Sequence, residues 1–89
     1  MREAYLEVTY RHGQPLAAYL YLPREKRLKS VRTRRVDPGM IVDLDARGHP
    51  LGIEITAPGL LTLVALNRLL RELGCSPVRR VDLAPLRAA

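Results

Sequence analysis

The sequence predicts an α+β domain, a mainly antiparallel five-stranded β-meander with one C-terminal amphipathic helix packed on the sheet. Three observations carry this. Apolar and polar residues alternate with a period of two over several short runs before Thr56, as in strands with one buried face. Gly- and Pro-containing turn sequences separate those runs, and after Pro58-Gly59 the leucines recur at spacings of three and four.

The elements follow in order. Ala4, Leu6, Val8 and Tyr10 alternate with Tyr5, Glu7, Thr9 and Arg11, giving a strand over 4–11. His12-Gly13-Gln14-Pro15 reads as a turn, because Gly accepts positive φ and Pro lacks a ladder donor. Leu16, Ala18, Leu20 and Leu22 then make a second strand, 16–22, whose other face carries Tyr19 and Tyr21, and Pro23 ends it. A charged connection leads to a third strand over 31–37. Asp37-Pro38-Gly39 is a tight-turn sequence. The hairpin that follows, 40–45 and 50–56 around Ala46-Arg47-Gly48-His49, is the clearest unit. Pairing Leu44 with Leu51 and Val42 with Ile53 places Val42, Leu44, Leu51, Ile53 and Ile55 on one apolar face, and a shift by one residue would mix the faces.

The helix is expected over 59–73. Leu63, Leu66, Leu70 and Leu73 form its stripe, Leu69 widens it, and Asn67, Arg68, Arg71 and Glu72 take the wet side. Gly74 and Pro77 give a stop signal. The arm 77–89 is compatible with a short strand from Val78 to Leu83 or with packing on a partner chain.

At 89 residues the chain has room for a single domain, 1–89, near the size where one core is marginal. Apolar residues make up 47% and charged residues 27%, ordinary for a globular protein. No stretch approaches the roughly 18 to 20 apolar residues of a membrane span, and the first residues lack a signal-peptide layout, so a cytoplasmic protein without membrane contact is expected. Cys75 is the only cysteine, which excludes an intramolecular disulfide and a thiolate metal cluster; it reads as a structural residue at the helix end. The net charge is +6, and the 24–35 segment carries all of the excess: Arg24, Lys26, Arg27, Lys29, Arg32, Arg34 and Arg35 against Glu25. An arginine-rich connection of this kind neutralises phosphates without reading sequence, and Tyr19 and Tyr21 offer rings for stacking on bases. These seven cations are the candidate nucleic-acid contacts.

One resemblance emerges from the motifs. Ala18-Tyr19-Leu20-Tyr21-Leu22, Gly39-Met40-Ile41-Val42-Asp43-Leu44-Asp45, Gly48, and Leu51-Gly52-Ile53-Glu54-Ile55 resemble the pattern of DUF2283, a family of small bacterial proteins of unknown function with a tyrosine-rich hairpin followed by a glycine-anchored acidic hairpin. The match runs from about Val8 to Thr56. Two positions depart from it: acidic residues are missing between Arg11 and Pro15, and the Thr-x-Glu expected before Asp-Pro-Gly reads Thr33-Arg34-Arg35. The resemblance implies a fold and carries no established activity.

Asp43, Asp45 and Glu54 fall together on the outward face of the hairpin. Three carboxylates there invite a divalent metal or an acid and base pair. Cross-strand pairing of Arg34 with Asp43 and Arg32 with Asp45 accounts for the same charges without a site. That register turns Arg35 toward the side of Val42, where it must snorkel unless the strand bulges. His12 and His49 read as solvated turn residues. No catalytic constellation, cofactor loop or metal site assembles, so none is assigned. The expected function is a non-enzymatic interaction or regulatory module, antitoxin-like, acting through a protein partner or as a homodimer; the alternative is nucleic-acid binding through Arg24 to Arg35. A homodimer is expected because the two sheet faces and the leucine helix offer more apolar surface than one helix covers.

Overall fold

The computed structural model describes residues 3–24 and 29–87. Five strands, β1 (Tyr5–Arg11), β2 (Gln14–Tyr21), β3 (Arg32–Val36), β4 (Met40–Leu44) and β5 (Pro50–Ile55), form one sheet in the order β1-β2-β5-β4-β3. Every neighbouring pair is antiparallel. The α+β class is therefore as expected, but the sheet is not a meander. β5 inserts between β2 and β4, through Ala18–Ile55, Tyr19–Glu54, Leu20–Ile53 and Tyr21–Gly52. This placement puts β5 at the centre, flanked by β2 and β4, and leaves the arginine-rich β3 as an edge, where charge discourages further strand addition.

Local chemistry explains the connections. His12 and Gly13 both have positive φ, 52° and 77°, and close a two-residue turn whose twist suits a hairpin. Gln14 and Pro15 accordingly belong to β2, with a register shift beside Tyr10 where Pro15 sits opposite. At the β3–β4 corner three residues, Asp37 to Gly39, separate the closing pair Val36–Met40. A two-residue turn would have aligned the strands one position differently. Because of that extra residue Thr33, not Arg34, lies opposite Asp43, and Arg32 lies opposite Leu44. The expected Arg34–Asp43 and Arg32–Asp45 pairings are thus corrected. Arg34 takes the helix side of the sheet and meets Glu72 at 3.6 Å, while Arg35 pairs with Ile41 on the opposite face.

The β4–β5 register holds at Val42–Ile53 and Asp43–Gly52; beyond them a shift pairs Leu44 with Pro50 in place of Leu51. The inward residues form the core. Ala18, Leu20 and Leu22 of the β2 run, Met40 and Val42 of β4, and Ile53 and Ile55 of β5 cluster with Leu61, Leu66, Leu69, Leu70 and Leu83.

A 3₁₀ turn at Pro58–Leu60 precedes α1 (Leu63–Glu72), so the helix starts at Leu63, the first residue of its leucine stripe, and not at residue 59. Thr62 is the N-cap, its hydroxyl accepting from the Ala65 N–H at 3.1 Å. Gly74, at φ 73°, ends it, with Cys75 N–H donating to Leu70 and Gly74 N–H to Arg71 in a Schellman closure. Asn67 is not on the wet side: its amide donates to Val78 O at 3.0 Å and accepts from Val78 N–H at 2.8 Å. That clamp returns the C-terminal arm to its own domain. The arm forms no strand over Val78 to Leu83; it makes a 3₁₀ turn at Arg80–Leu83 and a short second helix, α2 (Ala84–Arg87). Leu83 enters the core, and the Tyr10 hydroxyl donates to Pro85 O at 2.6 Å. Among the described residues no helix is long and apolar enough to cross a membrane.

Candidate functional site

Two surfaces gather the chemistry-bearing residues. The first is the sheet face turned away from α1. No residue of this face belongs to the buried core, and the strand pairings order it into two rows. Tyr5, Tyr21, Gly52, Asp43 and Thr33 make one; Glu7, Tyr19, Glu54, Ile41 and Arg35 make the other. The Tyr5 and Tyr21 rings stack at 4.4 Å with a 15° interplanar angle, and Tyr19 lies against Tyr21 at 4.7 Å, tilted by 56°. Such spacings are those of attractive aromatic pairs.

Tyr19 reaches across β5 to donate its O–H to Asp43 Oδ2 at 2.5 Å. It passes directly over Gly52, where a Cβ would collide with the ring and hydroxyl. Glycine is required at that position for this reason, and the glycine of the Gly-Ile-Glu-Ile run acquires a physical role. Burial first, then the hydrogen bond and charge of Asp43, push the Tyr19 phenol far above the ordinary tyrosine range. The charge of Glu7, which accepts from the Tyr21 hydroxyl at 3.3 Å, raises Tyr21 as well.

The expected carboxylate trio is not assembled. Asp43 and Glu54 share the outer face, but Asp45 turns inward with only 5% of its surface exposed. Its Oδ1 accepts from the N–H groups of Arg47 and His49 at 2.8 Å each, and its Oδ2 lies 3.2 Å from His49 Nδ1. Asp45 thereby organises the β4–β5 turn. Asp and Asn do this habitually, since their short side chains reach N–H groups just ahead in the chain. His49 is a turn residue as expected, 63% exposed at the side chain, and it makes an i,i+4 contact with Asp45. Among the described residues no group of three His, Cys, Asp or Glu side chains could hold a metal ion.

The hydrogen bonds from His49 N–H, and then from Arg47 N–H, hold the Asp45 carboxyl below its usual range against the opposing effect of burial. A carboxyl lowered on folding stabilises the fold above its unfolded pKa, near 4, and that contribution disappears as pH falls through the lower folded value. Acid titration of the fold should accordingly show a loss of stability beginning below about pH 4, with a shallower slope in Asp45→Ala. Equal slopes in chemical denaturation of the two proteins between about pH 4 and 2 would contradict it.

The second surface lies at the β4–β5 turn. Pro23, Arg24, Lys29 and Val31, together with Asp45, Ala46, Arg47, His49 and Pro50 of the turn, line an open cavity of about 770 Å³ that Leu51 and Cys75 complete. Arg24 Nη1 donates to Leu51 O at 3.0 Å, which fixes the guanidinium at the cavity wall. Arg47 and His49 enter here although neither belonged to the expected basic set. Only a correct β2–β5 pairing brings them beside Arg24. Cys75 is partly buried, and burial pushes its thiol pKa up.

The seven candidate nucleic-acid contacts do not form one patch. Lys26 and Arg27 lie outside the described residues. Arg24 and Lys29 line the cavity, Arg32 and Arg34 share the helix side of β3, and Arg35 lies on the opposite face.

No curated protein and no solved structure matches this chain. A family model described as a protein of unknown function, DUF2283, does match residues 17–57, the stretch that runs from β2 through the whole of β5 and contains Tyr19, Asp43, Asp45 and Gly52. Over those residues the chain is similar to the DUF2283 family, and the match supports a DUF2283-family protein of unknown function.

Proposed function

We propose that the chain is an interaction module that works as a homodimer through the uncovered face of its sheet. The observation that carries this is the arrangement of charge and rings about the central strand. β5 has two strands on each side, so a two-fold axis along it would set β1 against β3 and β2 against β4 of a second copy. In the second row Glu7 then faces Arg35 of the other copy, and Tyr19 faces Ile41, each contact occurring twice. Rings already packed on one another lose little freedom on association, which favours such a face as an interface. Where the two sheets meet on the axis, Glu54 meets its own copy, the one unfavourable contact of the arrangement.

Nucleic-acid binding through Arg24 to Arg35 is less well supported. β3 turns its arginines to both faces, and Arg34 already has Glu72 as a partner.

Sedimentation equilibrium tests the homodimer. The chain should sediment as a dimer at about 50 μM, Arg35→Glu should weaken association by roughly tenfold or more, and Glu7→Arg combined with Arg35→Glu should recover most of the loss. Glu54→Gln should tighten it. A monomer at about 100 μM, or a dimer indifferent to Arg35→Glu, would remove the proposal.

A further inference from the structure

The cavity at the β4–β5 turn combines two features that the homodimer leaves unused. Its cations come from two separate stretches: Arg24 and Lys29 in the connection between β2 and β3, and Arg47 in the β4–β5 turn. Cations spread over a sequence seldom converge on one hollow by chance, since like charges repel unless something lies between them. Among the described residues the one acid of the wall is Asp45. Both of its oxygens are engaged by its own turn, Oδ1 by two backbone N–H groups and Oδ2 by the His49 ring. The remaining wall is apolar, with Val31 and Pro50 prominent in it. A volume of about 770 Å³ falls within the roughly 300 to 1,000 Å³ range of small-molecule sites.

We propose that this cavity binds a mononucleotide-class ligand, a phosphate joined to a flat and partly apolar group. Lys29 and Arg47 of the lining supply charge for the phosphate, and Arg24, its orientation set by the Leu51 carbonyl, offers a guanidinium already in place. The Asp45 contact holds the His49 ring at the cavity wall, where its face provides a stacking surface for a base. Val31 and Pro50 supply the apolar contact that a simple oxyanion would not use. The site does not depend on self-association: its residues lie at the turn end of the sheet and not in the two rows of the outer face.

Titration of the full chain with AMP, adenosine and inorganic phosphate, followed by backbone amide shifts, tests this. AMP should saturate with a dissociation constant below about 1 mM and move the amides of Arg47, His49 and Leu51, while adenosine and phosphate each bind at least roughly tenfold more weakly. Arg47→Ala and Lys29→Ala, both at exposed positions, should each weaken AMP by roughly tenfold with the remaining spectrum unchanged. Arg35→Glu, which targets the homodimer, should leave AMP binding intact, so the two proposals fail separately. A short single-stranded oligonucleotide that competes with AMP would extend the ligand to nucleic-acid ends. Overturning results are the absence of saturable AMP shifts up to about 10 mM, AMP binding unaffected by both substitutions, or oligonucleotide binding with AMP silent.

Discussion

Gly52→Ala should destabilise the fold by about 2 to 4 kcal/mol, far more than a single added methyl usually costs on a sheet surface. The Tyr19 ring lies where the new Cβ must go. A tyrosine can swing away, but its hydroxyl then leaves Asp43, and the ring loses its place against Tyr21. Hydrogen bonds to charged groups contribute about 1.5 to 3 kcal/mol, and overpacking adds to that. A double-mutant cycle separates this account from a general intolerance of side chains in β5. In a Tyr19→Ala background the obstacle is gone and alanine is a better strand residue than glycine, so Gly52→Ala should then cost close to zero. Urea denaturation of the four proteins gives the coupling. A Gly52→Ala penalty of the same size in both backgrounds would show that Tyr19 is not what the glycine accommodates.

That cycle concerns a contact the sequence only half discloses. Tyr19, Asp43 and Gly52 are each visible as members of a strand pattern, and the Asp43–Gly52 pairing follows from keeping Val42 and Ile53 on one face. Periodicity within a strand fixes which residues share a face. It does not fix which distant strand lies alongside, so the insertion of β5 between β2 and β4, and with it the Tyr19 bridge, was out of reach. The same limit hid the cavity. Arg24 was legible as part of a basic run, whereas Arg47 and His49 join it only through tertiary pairing. One residue of turn length at Asp37 to Gly39 changed the partner of every arginine on β3. Asp45 failed for a different reason: a carboxylate next to a turn competes for backbone N–H groups, and this overrides the strand alternation that pointed it outward.

The two proposed surfaces use the two kinds of departure. The outer face keeps strict alternation, and its rows of tyrosine and charge lie where the period of two puts them. The cavity is made by the residues that leave the pattern, at the turn and in the connection after β2. In a chain of this size both can be present only because α1 and the arm cover the remaining face, and the arm is the part of that cover whose contribution is least apparent from its composition.

Leu83→Ala should lower stability by about 2 to 4 kcal/mol, the usual loss for a buried leucine whose cavity does not collapse. Leu83 is 2% exposed and belongs to the same cluster as Leu20, Ile53 and Leu66. If the arm packed on a partner chain, the loss would depend on protein concentration. Here it should not, because Asn67 binds both backbone groups of Val78 and ties the arm to α1 of its own chain. Asn67→Ala leaves a partly buried N–H and C=O without these partners and should cost about 1 to 3 kcal/mol by itself. The two losses should be less than additive, since release of the clamp lets Leu83 leave the core before it is truncated. Chemical denaturation of the single and double variants at two protein concentrations reads all of this. A Leu83→Ala penalty below about 1 kcal/mol, or one that grows on dilution, would mean that the arm is not part of the domain's own core.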